Sequence, residues 1–146
     1  ESEGILSAAH FCEGNDAPAT QKFVAEYEKA YQKLPSLYGF SMYSGAMWLA
    51  AAIKAVDGKV EDRPKFLAAV RKVELKDSPL GRPVHLDDYG NPIYDVFIRE
   101  VRKRADGKYW NVPLEVYPNV SQFWTYNPDE YMKQPPYSRT FQGIKG

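Results

Sequence analysis

Few residues in this chain are of types that perform chemistry, and their spacing limits what they can do. His10 and Cys12 flank Phe11, and the one other histidine is His85. A bound metal needs three or four ligands at recurrent spacing, and no second Cys or His pair exists to supply them. A cysteine nucleophile needs a base beside it, and nothing around Cys12 has that form. Cys12 therefore reads as a half-buried thiol at a strand end. Asp87 and Asp88 are adjacent on a tight turn, where their side chains point apart, so they read as solvated turn carboxylates. The glycines are isolated and form no phosphate-cradling loop. Arg99, Arg102, Lys103 and Arg104 make a basic cluster with Glu100 and Asp106 around it, the usual composition of a solvated strand end. No nucleophile, base and oxyanion set assembles, no metal or cofactor is implied, and no enzyme activity is expected.

One segment differs. Residues 34–43, LPSLYGFSMY, put Tyr38, Phe40 and Tyr43 on either side of Gly39, where a loop enters a helix. A helix N-terminus offers free N–H groups and the positive end of the dipole, which suits a carboxylate. Two readings stand side by side: an aromatic pocket for an organic acid, or rings that cap a core.

The elements that would position these residues follow from periodicity. Residues 4–9 form a short apolar run that suits a buried strand, and 10–16 read as a loop. A helix follows, capped by Asn15 or Asp16 with Pro18 in its first turn, and Phe23, Tyr27, Ala30, Tyr31 and Leu34 recur at helical spacing. A second helix starts near Phe40 or Ser41, with a stripe of Met42, Ala46, Leu49, Ile53 and Val56, and ends at Asp57-Gly58. A third runs from the cap Asp62 to Val73 and buries Phe66, Leu67, Val70 and Val73. Residues 80–86 suit a strand, 87–91 a turn, and 93–101 a strand. Asp106-Gly107 turns that strand into a partner over 109–116. Beyond Pro118 a tail rich in aromatics and proline is expected to lie extended on a surface, with one short helix from Asn127.

The chain has 146 residues, 44% of them hydrophobic, enough for a real core. Nineteen basic residues balance nineteen acidic ones. A neutral chain has no electrostatic footprint for polyanions, so a nucleic-acid partner is not expected. No apolar run is long enough to span a membrane. The first residues lack the basic start and apolar stretch of a secretory signal. One strand, three helices and a late hairpin do not alternate as a parallel α/β sheet requires, so the layout reads as completing sheets supplied by other residues.

Taken in order, several short motifs resemble the C-terminal portion of periplasmic solute-binding proteins of the branched-chain amino acid class, the type I class that serves ABC transporters. They are Glu3-Gly4-Ile5-Leu6, Phe23-Val24 with Tyr27, Pro35, Tyr38 to Ser41, Tyr43-Ser44-Gly45-Ala46 and Ala51-Ala52-Ile53. Pro79-Leu80-Gly81, residues 87–92 and the strand 94–101 complete the set, which covers about residues 3 to 118. The resemblance implies part of a two-lobed α/β fold whose three-layer lobes are joined by hinge crossings. Residues 1–9 would be a second-lobe strand and 10–90 a first-lobe segment with three helices. Residues 91–146 would be second-lobe strands and the aromatic tail. It also implies an extracytoplasmic, periplasmic binding component with a secretory signal upstream. That component would hold an amino acid-like or aromatic acid between its lobes. Its partners would be a membrane permease and the N-terminal remainder of the same protein. A ligand-sensing domain of a receptor or regulator with the same fold is the alternative. By the same resemblance Phe40 would lie against the ligand, His10 and Phe11 would face the cleft mouth, and Tyr38 and Ser41 would stand beside them.

Overall fold

The computed structural model describes residues 2–141 and 143. Its elements run β1 (Leu6–Ala9), α1 (Pro18–Tyr31), α2 (Leu37–Ala55), α3 (Arg63–Lys72), β2 (His85–Leu86), β3 (Pro92–Lys103), β4 (Tyr109–Val120) and α4 (Pro128–Met132). The fold is mixed α/β with an open sheet. Glu1 and the last expected tail residues, 142 and 144–146, lie outside the described residues.

Local chemistry sets most helix starts. Asp62 Oδ1 accepts from the Lys65 N–H at 3.2 Å, and Asn127 Oδ1 accepts from the Glu130 N–H at 3.1 Å, so α3 and α4 begin where their caps predict. Pro18 opens α1, but the cap position is Ala17, which has no side-chain acceptor. Asn15 is engaged elsewhere, its amide donating to the Leu80 carbonyl at 3.2 Å and to Thr20 Oγ1 at 3.3 Å. Ser36 Oγ accepts from the Gly39 N–H at 3.1 Å. That cap starts α2 at Leu37, earlier than expected, and places Tyr38, Gly39 and Phe40 inside its first turn rather than on a loop.

The expected stripe on α2 is buried only at its end, at Val56. Met42 is 77% exposed, and Leu49 and Ile53 are exposed too, whereas Phe40 and Ala52 are buried with Met47, Trp48 and Ala51 partly covered. Apolar residues surround this helix, so its pattern alone does not select a face, and the packing partner does. On α3, Leu67 is likewise exposed, while Phe66 and Val70 pack against the core.

β3 is the centre of the sheet, and every pairing is antiparallel. β1 pairs from Leu6↔Glu100 to Ala9↔Phe97, β4 from Lys103↔Tyr109 to Tyr94↔Val120, and β2 through His85↔Ile93 and Leu86↔Pro92. The β3–β4 turn is the expected one: Gly107 sits at φ +83°, and Asp106 Oδ1 accepts from the Lys108 N–H at 3.1 Å. Both strands run longer than expected. The strand expected over 80–86 shrinks to β2, because a turn occupies residues 78–81. There the Gly81 N–H donates to the Ser78 carbonyl at 2.9 Å. Gly81 has φ +79°, and a Cβ on it would collide with Ala17. β1 is also less covered than a buried strand, with Leu6 exposed.

The basic cluster is not a solvated strand end throughout. Arg99 donates to the Phe11 carbonyl at 2.7 Å and to Ser7 Oγ at 3.0 Å. Arg104 pairs with Glu28 at 2.9 Å and Asp106 at 3.1 Å, and its guanidinium lies 5.1 Å from the Trp110 ring centre. These two arginines tie the hairpin to α1 and to the segment after β1.

One core joins these parts: Phe11, Phe23, Val24, Phe40, Ala52, Val73, Leu75, Leu80 and Val84. The tail is not one extended strap. After β4 it turns over residues 121–126 and enters α4. Of its clustered aromatics, Phe123 is 3% exposed, whereas Trp124 and Tyr126 remain exposed. Phe123 packs edge-on against Tyr89 and Tyr131 at 5.0 and 5.6 Å, and the Tyr89 hydroxyl donates to Asp129 at 2.8 Å. In the full-length protein, Phe123→Ala should therefore cost about 3 kcal/mol and lower the melting temperature by several degrees. Trp124→Ala should cost much less. Thermal denaturation of the two variants gives the order, and the reverse order would contradict this packing.

Candidate functional site

A cavity of about 300 Å³ opens between the first half of α2, residues 75–86 and the start of β3. That volume is at the lower end of the range for small-molecule pockets. Phe40, Ser44 and Trp48 follow one another at four-residue steps, so they share one face of α2 and form one wall. Leu75, Leu80 and Val84 form the opposite wall, and His10 and Tyr94 stand at one side.

The polar groups on this wall differ in how far they are already engaged. The Trp48 indole N–H donates to the Val70 carbonyl at 2.9 Å, and Ser41 Oγ donates to the Leu37 carbonyl at 2.9 Å. Ser78 Oγ accepts from the Leu80 N–H at 3.2 Å. The Ser44 hydroxyl is buried and has no partner among the described residues. The His10 ring lies 4.5 Å from Tyr94 and 5.9 Å from Phe40, centre to centre. Burial, and secondarily the Arg99 guanidinium, holds its pKa below the usual histidine value. His10 is thus a neutral imidazole at neutral pH, offering one donor and one acceptor. None of the lining side chains carries a charge.

Of the residues expected at the site, Phe40, His10 and Ser41 line this cavity together. Phe11 does not face an opening: it is 1% exposed and lies flat behind Phe40, ring centres 4.6 Å apart. Tyr38 is 80% exposed and is not part of the lining. Nor does Phe40 offer a free helix-end donor, because its N–H is spent on the Ser36 carbonyl at 3.0 Å within the helix. Ser44, Trp48 and Tyr94 escaped the sequence reading. The first two were recoverable from their four-residue steps beyond Phe40, once Ser36 was taken as the cap. Residues 75–86 carry no pattern that marks them as a wall.

The other groups with chemical potential do not form a second site. Cys12 is fully buried, and its thiol lies 3.3 Å from the Asn111 carbonyl. Burial, followed by the neighbouring Glu13 charge, pushes its pKa up to about 11. Among the described residues no three His, Cys, Asp or Glu side chains gather as metal ligands.

Comparison with known proteins matches residues 1–108 to the family described as periplasmic binding protein. A Leu/Ile/Val-binding protein homolog 6 from Brucella abortus is 33% identical over 117 residues, which are 78% of this chain and 29% of that protein. Among solved structures, a solute-binding protein of an ABC transporter from R. palustris, in complex with benzoate, is 28% identical. It superposes with a TM-score of 0.73 over 84% of this chain and 32% of its own. Another, from Rhodopseudomonas palustris HaA2 in complex with p-hydroxybenzoic acid, is 32% identical with a TM-score of 0.70, covering 82% of this chain and 32% of that one. The chain thus spans less than a third of the length of the relatives it matches.

Two outcomes follow from the geometry. Phe40→Ala removes a ring that is both core and cavity wall, and should destabilise the full-length protein by about 3–5 kcal/mol in chemical denaturation; a loss near zero would contradict its core role. Cys12 should resist iodoacetamide at pH 8, where a thiol of this pKa is about one part in a thousand thiolate. Mass spectrometry of its peptide should show rapid labelling only after unfolding, and rapid native labelling would contradict the burial.

Proposed function

This chain belongs to the periplasmic binding protein family, and on that premise we propose that it forms part of the extracytoplasmic substrate-binding component of an ABC uptake transporter, with a small aromatic carboxylate as its ligand. In this reading residues 10–90 belong to the first lobe, while 1–9 and 91 onward belong to the second. The chain crosses between lobes at residues 10–11 and 91–96. Closure about those crossings traps the solute, and the closed form delivers it to a membrane permease.

The observation that carries the reading is the uncharged cavity between α2 and residues 75–86. Burying an aromatic ring against Phe40, Trp48 and the facing leucines contributes about 1.5–3 kcal/mol. The lining offers no charge partner, so charged groups must stay outside it, and an aromatic carboxylate has one such group to keep hydrated where an amino acid has two. The benzoate and p-hydroxybenzoic acid in complex with the two R. palustris proteins support the aromatic choice. The Brucella relative's name points instead to branched-chain amino acids.

Calorimetric titration of the full-length protein with benzoate, 4-hydroxybenzoate and L-leucine tests this. An aromatic carboxylate should bind, and L-leucine should bind at least about tenfold more weakly. Leucine binding tighter than both aromatic acids would overturn the proposal.

A further inference from the structure

The same cavity carries information about which end of such a ligand it receives. Its lining has no cationic side chain, and its polar groups at Trp48, Ser41 and Ser78 already hydrogen-bond within the protein. A carboxylate pushed into it would lose its hydration without a charge partner, which costs far more than burying the ring. A neutral hydroxyl is different. It needs one acceptor and one donor, and Ser44 on the α2 wall and His10 beside it are among the lining side chains with hydrogen-bonding capacity to give. The Ser44 hydroxyl is buried without a partner among the described residues, one helical turn beyond Phe40. The His10 imidazole is packed against Tyr94 and close to Phe40.

We propose that Ser44, with His10, reads a neutral polar substituent on the end of the ligand's ring remote from its carboxylate, so that the carboxylate points out of this cavity. This rests on the aromatic-carboxylate reading above. An orphaned buried hydroxyl is costly in the empty protein, and a ligand hydroxyl that satisfies it recovers that cost on binding. A methyl group of similar size cannot, so the wall favours hydroxyl over methyl at the ring's far end.

The test uses the full-length protein and three probes: benzoate, 4-hydroxybenzoate and 4-methylbenzoate. Wild type should bind 4-hydroxybenzoate more tightly than 4-methylbenzoate, and Ser44→Ala should shrink that ratio by about tenfold. Alanine is a better helix former than serine, so the variant should melt no lower than wild type. A wild type without hydroxyl preference, or a ratio unchanged in Ser44→Ala, overturns this inference while leaving the aromatic-carboxylate reading standing. Failure of all three probes to bind wild type overturns both.

Discussion

Phe11 and Phe40 lie face to face, their ring centres 4.6 Å apart and their planes within 3°, and Phe23 meets both edge-on at 6.0 and 6.3 Å. Each ring comes from a different part of the chain: Phe11 from the segment that leaves β1, Phe23 from the middle of α1, Phe40 from the first turn of α2. Aromatic pairs in these geometries add about 0.5–1.5 kcal/mol each beyond their buried area. The three rings thus fix where the sheet, α1 and α2 meet. Because Phe40 also faces the cavity, the wall of the candidate site is as rigid as the core behind it.

The charged groups do complementary work on the other side of this cluster. Arg99 holds the Phe11 carbonyl from β3 and lies 3.8 Å from Glu13. Arg104 and Lys108 both reach Glu28 on α1, at 2.9 and 3.4 Å. Half-buried ion pairs are weak sources of net stability, but breaking one leaves a stranded charge, so they penalise other arrangements. They set the hairpin against α1 while leaving the cavity lining uncharged. An apolar, neutral wall beside a well-braced loop is what a site for an uncharged ring requires.

The features legible in the sequence are those decided within a few residues. Asp62 and Asn127 each cap a helix through a side chain three residues from its partner, and the Asp106-Gly107 turn needs only its own backbone geometry. The misread features were decided by distant partners. Which face of α2 is buried depends on the segment holding Leu75, Leu80 and Val84. The expected strand over 80–86 gave way to a turn wedged against Ala17, and Arg99 turned inward because the Phe11 carbonyl lies within its reach. At the site, the aromatic segment around Phe40 was marked by composition, and Ser36 moved the helix start enough to change what each residue does. Tyr38 turned outward, Phe40 turned into the core, and Ser44 and Trp48 joined it on the wall.

In the proposed function this face of α2 forms the ring-binding wall of a solute cleft. A crystal structure of the full-length protein with bound 4-hydroxybenzoate tests it most directly. Ring atoms should lie within about 4.5 Å of both Phe40 and Trp48, with the carboxylate directed away from Leu75 and Val84. A ligand seated elsewhere, with this cavity filled only by the protein's own side chains, would contradict it.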